Sequence, residues 1–217
     1  MELAEVIDQI PEDAGPIGLL SSDEFTLGAR TFDRALLAAA RGPRVAIMPC
    51  ADHEHADMIM NNARAHLTPL GATVFEADIG HRPASGTLRD ADVYYLPGGD
   101  PSELLACLRG TLLPRQLIDR WMNGAALAGS SAGAMALCKA CLIPEPGADK
   151  PTVWTDGLGP IEKVGLAVHV TTRPHAWLRR VAETSRVPVL AMDDGTGVLL
   201  RNGRAPEVIG RGRVSFA

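Results

Sequence analysis

The sequence predicts an α/β protein with a mostly parallel sheet covered by helices on both faces. Three observations carry this. Short apolar runs recur along the chain, each followed by a stretch with apolar residues at helical spacing. The runs are apolar throughout instead of alternating, as expected for strands buried on both faces. Segments rich in polar chemistry follow directly after several runs, at the strand edge where ligands sit in such sheets.

Taken in order, Ile17-Gly18-Leu19-Leu20 is the first strand, and a helix carrying Phe32, Leu36 and Leu37 follows it. Arg44 to Pro49 is a second strand. A helix over about His55–Leu70 comes next, with Gly71 as its stop signal. Ala72-Thr73-Val74-Phe75 begins a third strand, and Asp92 to Pro97 is a fourth. After the fourth, Asp100 can cap a helix, Pro101 suits its first position and Glu103 completes a capping-box-like start. Helical residues run on to about Asn123, interrupted near Gly110 and Pro114.

Ala125 to Ala128 is a fifth strand, broken by Gly129-Ser130-Ser131-Ala132-Gly133 before a helical pattern resumes. This is G-x-S-x-G in a strand-turn-helix context, which lifts Ser131 out of a tight turn at a helix N-terminus. Cys138 and Cys141 are expected late in that helix as small apolar residues. Pro144 to Lys163 reads as an irregular excursion. Val164 to Val170 is a strand, His175–Ser185 a helix, and Val187 to Met192 another strand. Asn202-Gly203 between apolar runs signals a terminal hairpin.

With 217 residues, 46% of them hydrophobic, the chain supports one core and shows no second domain, so residues 1–217 read as a single unit. A net charge of -5 without clustered Lys/Arg argues against nucleic acid or an anionic membrane as partner. The start lacks signal-peptide features and no run is long enough to span a bilayer, so a cytoplasmic location is expected. Four scattered cysteines fit that location. A homodimer is compatible with such a chain.

A serine needs a base, and the base an acceptor that holds its tautomer. His169 ends an apolar strand after the Ser131 unit, and Asp193-Asp194 ends the next. His66 is expected to be exposed on its helix, and His81 to lie in a loop. Asp156, between Ser131 and His169, remains open as the acid. The order Ser…His…Asp separates this chain from α/β-hydrolases, which run Ser…Asp/Glu…His.

Leu96-Pro97-Gly98-Gly99-Asp100, Ala128 to Ala134, Val168-His169 and Met192 to Thr196 occur in the order seen in the peptidase E/cyanophycinase family, which this chain resembles over most of its length. The resemblance implies a class I glutamine-amidotransferase-like fold, a flavodoxin-like three-layer sandwich with a C-terminal hairpin and a serine in place of cysteine. It implies Ser131 as nucleophile, His169 as general base and Asp194 as acid, where the family usually has glutamate. Gly99 and Ala132 would supply oxyanion-hole amides, with Gly98 a near substitute. Gly98, Asp100 and Arg173 are candidate substrate contacts. Val168 and Val170 stand where the family often has Pro or Gln and then Phe. The implied activity is hydrolysis of short peptides, with aspartyl dipeptides or β-aspartyl linkages as substrate classes and no cofactor. The contrasting reading is a noncatalytic binding protein, which an intact Ser-His-Asp set disfavours.

Asp52-His53-Glu54-His55 looks metal-rich, but two histidines two apart on a helix point in different directions, and no metal is expected there. Cys138-x-x-Cys141 has no second pair to complete a zinc site.

Overall fold

A computed structural model describes residues 3–7, 10–77, 88–143 and 153–217. Seven strands make the larger sheet: β1 (Ile17–Leu20), β2 (Arg44–Ile47), β3 (Thr73–Glu76), β4 (Val93–Leu96), β5 (Ala126–Ser130), β10 (Thr196–Leu200) and β11 (Glu207–Gly210). Their order is β11-β10-β1-β5-β4-β2-β3. The five strands β1, β5, β4, β2 and β3 run parallel through four pairings, while β10 and β11 form the expected antiparallel hairpin at one edge. A second sheet holds β6 (Cys138–Ile143), β7 (Val153–Asp156), β8 (Ile161–Ala167), β9 (Val189–Met192) and β12 (Val214–Phe216), in the order β12-β9-β8-β6-β7.

The helices are α1 (Ala4–Ile7), α2 (Arg30–Ala39), α3 (Ala56–Leu67), α4 (Pro101–Leu108), α5 (Leu113–Met122), α6 (Ala132–Ala136) and α7 (His175–Thr184). Side chains alternate across each strand, so one sheet feeds two cores. Val45, Ile47, Val93 and Tyr95 pack with Phe32 and Leu36 of α2 and with Met60, Ala63 and Leu67 of α3. Ala46, Tyr94, Leu96 and Leu127 face the other way, onto α4, α5, α6 and the second sheet. Burying a Leu or Phe side chain contributes about 1.5–3 kcal/mol. These two layers therefore hold the strand ends in place.

Asp100 caps α4 as its spacing predicted, its Oδ1 accepting from the N–H of Ser102 at 2.6 Å. The expected interruption falls between Leu108 and Leu113.

Three expectations change. Cys138 and Cys141 lie on β6, because the helix after Ser131 stops at Ala136. A short, mostly apolar run with one charged residue, Lys139, suits a helix or a strand equally, and pairing with β8 decides. Burial pushes both thiols up, Cys141 to about 12, which leaves them unreactive. The second half of the expected excursion is ordered as β7 and the start of β8, while His81 and residues 144–152 lie outside the described residues.

His66 is not exposed. Helices α2 and α3 share one face of the sheet, so His66 Nε2 meets Asp33 Oδ2 at 2.9 Å, with side chains 8% and 0% exposed. Burial pushes the Asp33 carboxyl up, against the pull of the His66 hydrogen bond and charge. A raised acid favours the fold most below the ordinary Asp range, and that contribution is lost as pH rises through its folded value. Replacing His66 by Leu strands the carboxylate, so stability should fall by about 3 kcal/mol at neutral pH. The loss should shrink on mild acidification, as the raised Asp33 carboxyl takes a proton and sheds its buried charge. Urea unfolding at the two pH values checks this; an equal loss at both would contradict it.

Candidate active site

The site forms where parallel strands end. β5 stops at Ser130 and α6 begins at Ala132, leaving Ser131 between them at φ 49° and ψ -111°. Non-glycine residues adopt such angles only where surroundings impose them, at about 1–3 kcal/mol. Here the Ser131 N–H donates to the Leu20 carbonyl at 2.9 Å, and its carbonyl accepts from the Met135 N–H at 3.0 Å. The two flanking glycines are needed for close approach: a Cβ on Gly133 would overlap the Leu96 carbonyl, and one on Gly129 would overlap the Gly133 backbone.

The chain passes from Ser131 through α6 into the second sheet, so β8 and β9 bring their own ends to the same place. His169 lies two residues beyond β8 with φ 57° and ψ 35°. Its N–H donates to Ser21 Oγ at 3.1 Å, and that hydroxyl donates to the Met192 carbonyl at 3.2 Å. Buried Ser21, just past β1, thus ties the ends of β8 and β9 to the larger sheet. Thr171 Oγ1 accepts the Asp194 N–H at 3.0 Å, and Ser22 Oγ accepts the Gly195 N–H at 2.8 Å.

The result is an unbroken row: Ser131 Oγ is 3.0 Å from His169 Nε2, and His169 Nδ1 is 2.7 Å from Asp194 Oδ1. Such a row suits transfer of the serine proton to the imidazole, with the carboxylate fixing the tautomer. Asp194 Oδ2 is buried and has no hydrogen-bond partner among the described residues. Asp193 turns the other way and accepts the Arg213 N–H at 2.8 Å. Asp156 sits on β7, at the far edge of the second sheet and two strands from β8, where it lines a groove of about 640 Å³ with Lys139, Trp154 and Arg186. It makes no bond to His169.

Among the described residues, the N–H groups of Gly99 and Ala132 have no protein acceptor. The Gly98 N–H does: it donates to Glu24 Oε1 at 3.0 Å, which removes Gly98 as a substitute oxyanion donor. Gly99 has φ 139°, and a Cβ there would overlap the Ala51 carbonyl. Gly99→Ala should therefore lower turnover by roughly a hundredfold and also lower the melting temperature. Kinetics with a thermal melt check both; an unchanged rate would put the donors elsewhere.

The other singled-out residues scatter. Asp100 is occupied as a helix cap. Arg173 is exposed and places its guanidinium 5.2 Å from the centre of the Trp177 ring. Asp52 caps the 3₁₀ turn His53–His55 and bonds His55 Nδ1 at 2.8 Å, which raises the pKa of that exposed imidazole. Among the described residues, no group of three His, Cys, Asp or Glu side chains could hold a metal ion. Sequence reasoning missed Ser21, Ser22, Thr171 and Glu24. Only the position of Ser21-Ser22 and Glu24 directly after an apolar strand hinted at a site.

Solved structures share this fold, two of them as follows. One is a peptidase from an acI-B1 Actinobacterium, with a TM-score of 0.74, 23% identity, and coverage of 94% of this chain and 90% of the other. The other is a candidate peptidase E protein from Listeria monocytogenes EGD-e, with a TM-score of 0.69, 19% identity, and coverage of 91% and 99%. No curated protein sequence matches significantly. No described helix is long and apolar enough to cross a membrane. Residues 19–208 match the model of peptidase family S51, and the chain belongs to that family.

Proposed function

We propose that the protein is a serine peptidase that cleaves amide bonds of short peptides through an acyl-enzyme on Ser131. The observation that carries this is the row Ser131–His169–Asp194, with gaps of 3.0 and 2.7 Å, assembled from the ends of three strands. His169 Nε2 takes the Ser131 proton as Oγ attacks the carbonyl, and returns it to the leaving amine. Asp194 holds the Nδ1–H and stabilises the imidazolium. The N–H groups of Gly99 and Ala132 face no competing acceptor among the described residues and serve the tetrahedral oxyanion. Ala132 adds the positive end of α6, a small contribution for so short a helix.

An aspartyl side chain in the substrate would require a cation, and exposed Arg173, four residues past His169, is our candidate. A fluorophosphonate should label Ser131, as read by peptide mapping. A panel of α- and β-aspartyl dipeptides beside neutral ones then sorts dipeptidase from cyanophycinase-like linkage preference. Failure of the label to attach would favour a noncatalytic binding protein.

A further inference from the structure

Two cysteines that the hydrolytic row does not use meet beside the loop that carries Gly99. Cys50 lies three residues past β2 and is fully buried, whereas Cys107 lies in the last turn of α4 and is half-buried. Both are free thiols. The Cys50 S–H donates to the Cys107 sulfur, and exposed His53, on the 3₁₀ turn just after Cys50, reaches the same sulfur. The Cys50 hydrogen bond, then the charge and hydrogen bond of His53, lower the Cys107 thiol to about 6, against the pull of burial. Cys50 shifts the other way, pushed up by its bond to Cys107 and by burial. The cluster thus pairs a reachable thiolate with a second thiol in contact, the arrangement that makes a cysteine oxidisable and its oxidised form resolvable. Buried Cys138 and Cys141 on β6 have no such access.

The two segments that carry these thiols also bracket Gly99. The Ala51 carbonyl, next to Cys50, accepts the Asp100 N–H at 2.8 Å and is the group that a Cβ on Gly99 would overlap. Asp100 caps α4, whose last turn bears Cys107. Bonded sulfurs stand about 2.05 Å apart, closer than two sulfurs in hydrogen-bond contact. A covalent bond here draws the Cys50-Ala51 segment towards α4, and the Ala51 carbonyl moves against the Gly99 backbone.

We propose that Cys107 and Cys50 form an oxidation site, at which a peroxide joins the two thiols in a disulfide that displaces Gly99 and slows hydrolysis at Ser131. The Cys107 thiolate attacks one peroxide oxygen and the O–O bond breaks. The departing hydroxide takes up the proton that the thiol had shed, leaving water and a sulfenic acid on Cys107. The Cys50 sulfur then attacks the Cys107 sulfur, the S–O bond breaks, and hydroxide leaves with the Cys50 proton as a second water. Two electrons pass from the two thiols to the peroxide. The effect on hydrolysis rests on Ser131 being the nucleophile; the thiol chemistry does not.

The test treats reduced wild-type protein with hydrogen peroxide, counts its thiols after denaturation and maps its peptides without reduction. Four free thiols should fall to two, with Cys50 joined to Cys107. Dipeptide turnover should fall about tenfold or more, part of the roughly hundredfold that one oxyanion donor supplies, and dithiothreitol should restore it. Cys107→Ser should keep the untreated turnover and lose the response to peroxide. Cys50→Ala should stop at the Cys107 sulfenic acid, which dimedone captures. Four thiols surviving in treated wild type, a bridge through other cysteines, or full turnover in the bridged protein would overturn the proposal. So would a Cys107→Ser protein that peroxide still slows. If either variant does not fold, the wild-type thiol count, map and turnover still decide. Failure of a fluorophosphonate to attach to Ser131 in the reduced protein would instead overturn the nucleophile assignment, and the map would still judge the disulfide.

Discussion

Ser131→Ala should lose hydrolysis by on the order of a million-fold while the fold stays intact, the scale seen when a serine triad loses its nucleophile. The substitution removes one hydroxyl and nothing else of structural use. What pins this turn is backbone: the N–H to Leu20 and the carbonyl from Met135. The hydroxyl itself makes no helix-capping bond. Alanine keeps the Cβ and tolerates the left-handed φ about as well as serine does, so the melting temperature should hold. The neighbour is not a ready replacement, because Ser130 is fully buried and donates to Glu24 at 2.8 Å. Steady-state rates on the best dipeptide, with a thermal melt of the same sample, test this. Most of the activity surviving in the purified variant would refute the nucleophile.

Asp194→Asn should cost on the order of ten-thousandfold in turnover by analogy with other serine triads. Asp194 offers His169 a single contact, Oδ1 to Nδ1 at 2.7 Å, and among the described residues its other oxygen has no partner. An asparagine can therefore sit either way round, and both ways fail. With its amide nitrogen towards Nδ1 it selects the tautomer that cannot take the serine proton. With its oxygen there it keeps the tautomer but brings no charge to the imidazolium. Asp193→Asn is the neighbouring control, since that carboxylate serves the Arg213 backbone. Asp156→Asn should be nearly silent from its place on the far strand. A dead Asp156→Asn with a normal Asp194→Asn would overturn the assignment. Asp194→Glu, which adds one methylene, tests how much reach the row tolerates.

The strands and most helices were legible because local pattern alone decides them. Val45 and Ile47 must leave water on one side and Ala46 and Met48 on the other, so an unbroken apolar run already implies cover on both faces. Asp100-Pro101 announced α4, since a cap and a fixed φ act within one turn. Where pattern was mute, the reading slipped. Cys138 to Leu142 carries only one polar residue, Lys139, which can face water whether the segment is coiled or extended, and only the partner strand β8 distinguishes the two.

The same division runs through the site. Ser131, His169 and Asp194 each follow a recognisable strand, so their chemistry could be read one residue at a time. Their distances could not, because they come from two sheets joined through α6 and clamped by the Ser21 hydroxyl, contacts between residues as far as 171 positions apart. His66 shows the limit from the other side: its helix was plain, yet only the packing of α3 beside α2 put Asp33 within reach. Glu24 was invisible for the same reason. Its carboxylate is aimed by a left-handed Phe25 whose ring rests on Tyr95, a residue of another strand. What sequence determined was the identity of strands, caps and reactive groups, which depend on neighbours along the chain. What tertiary structure decided was which groups meet, because burial, backbone strain and hydrogen bonds between distant strands exist only once the sheets have formed.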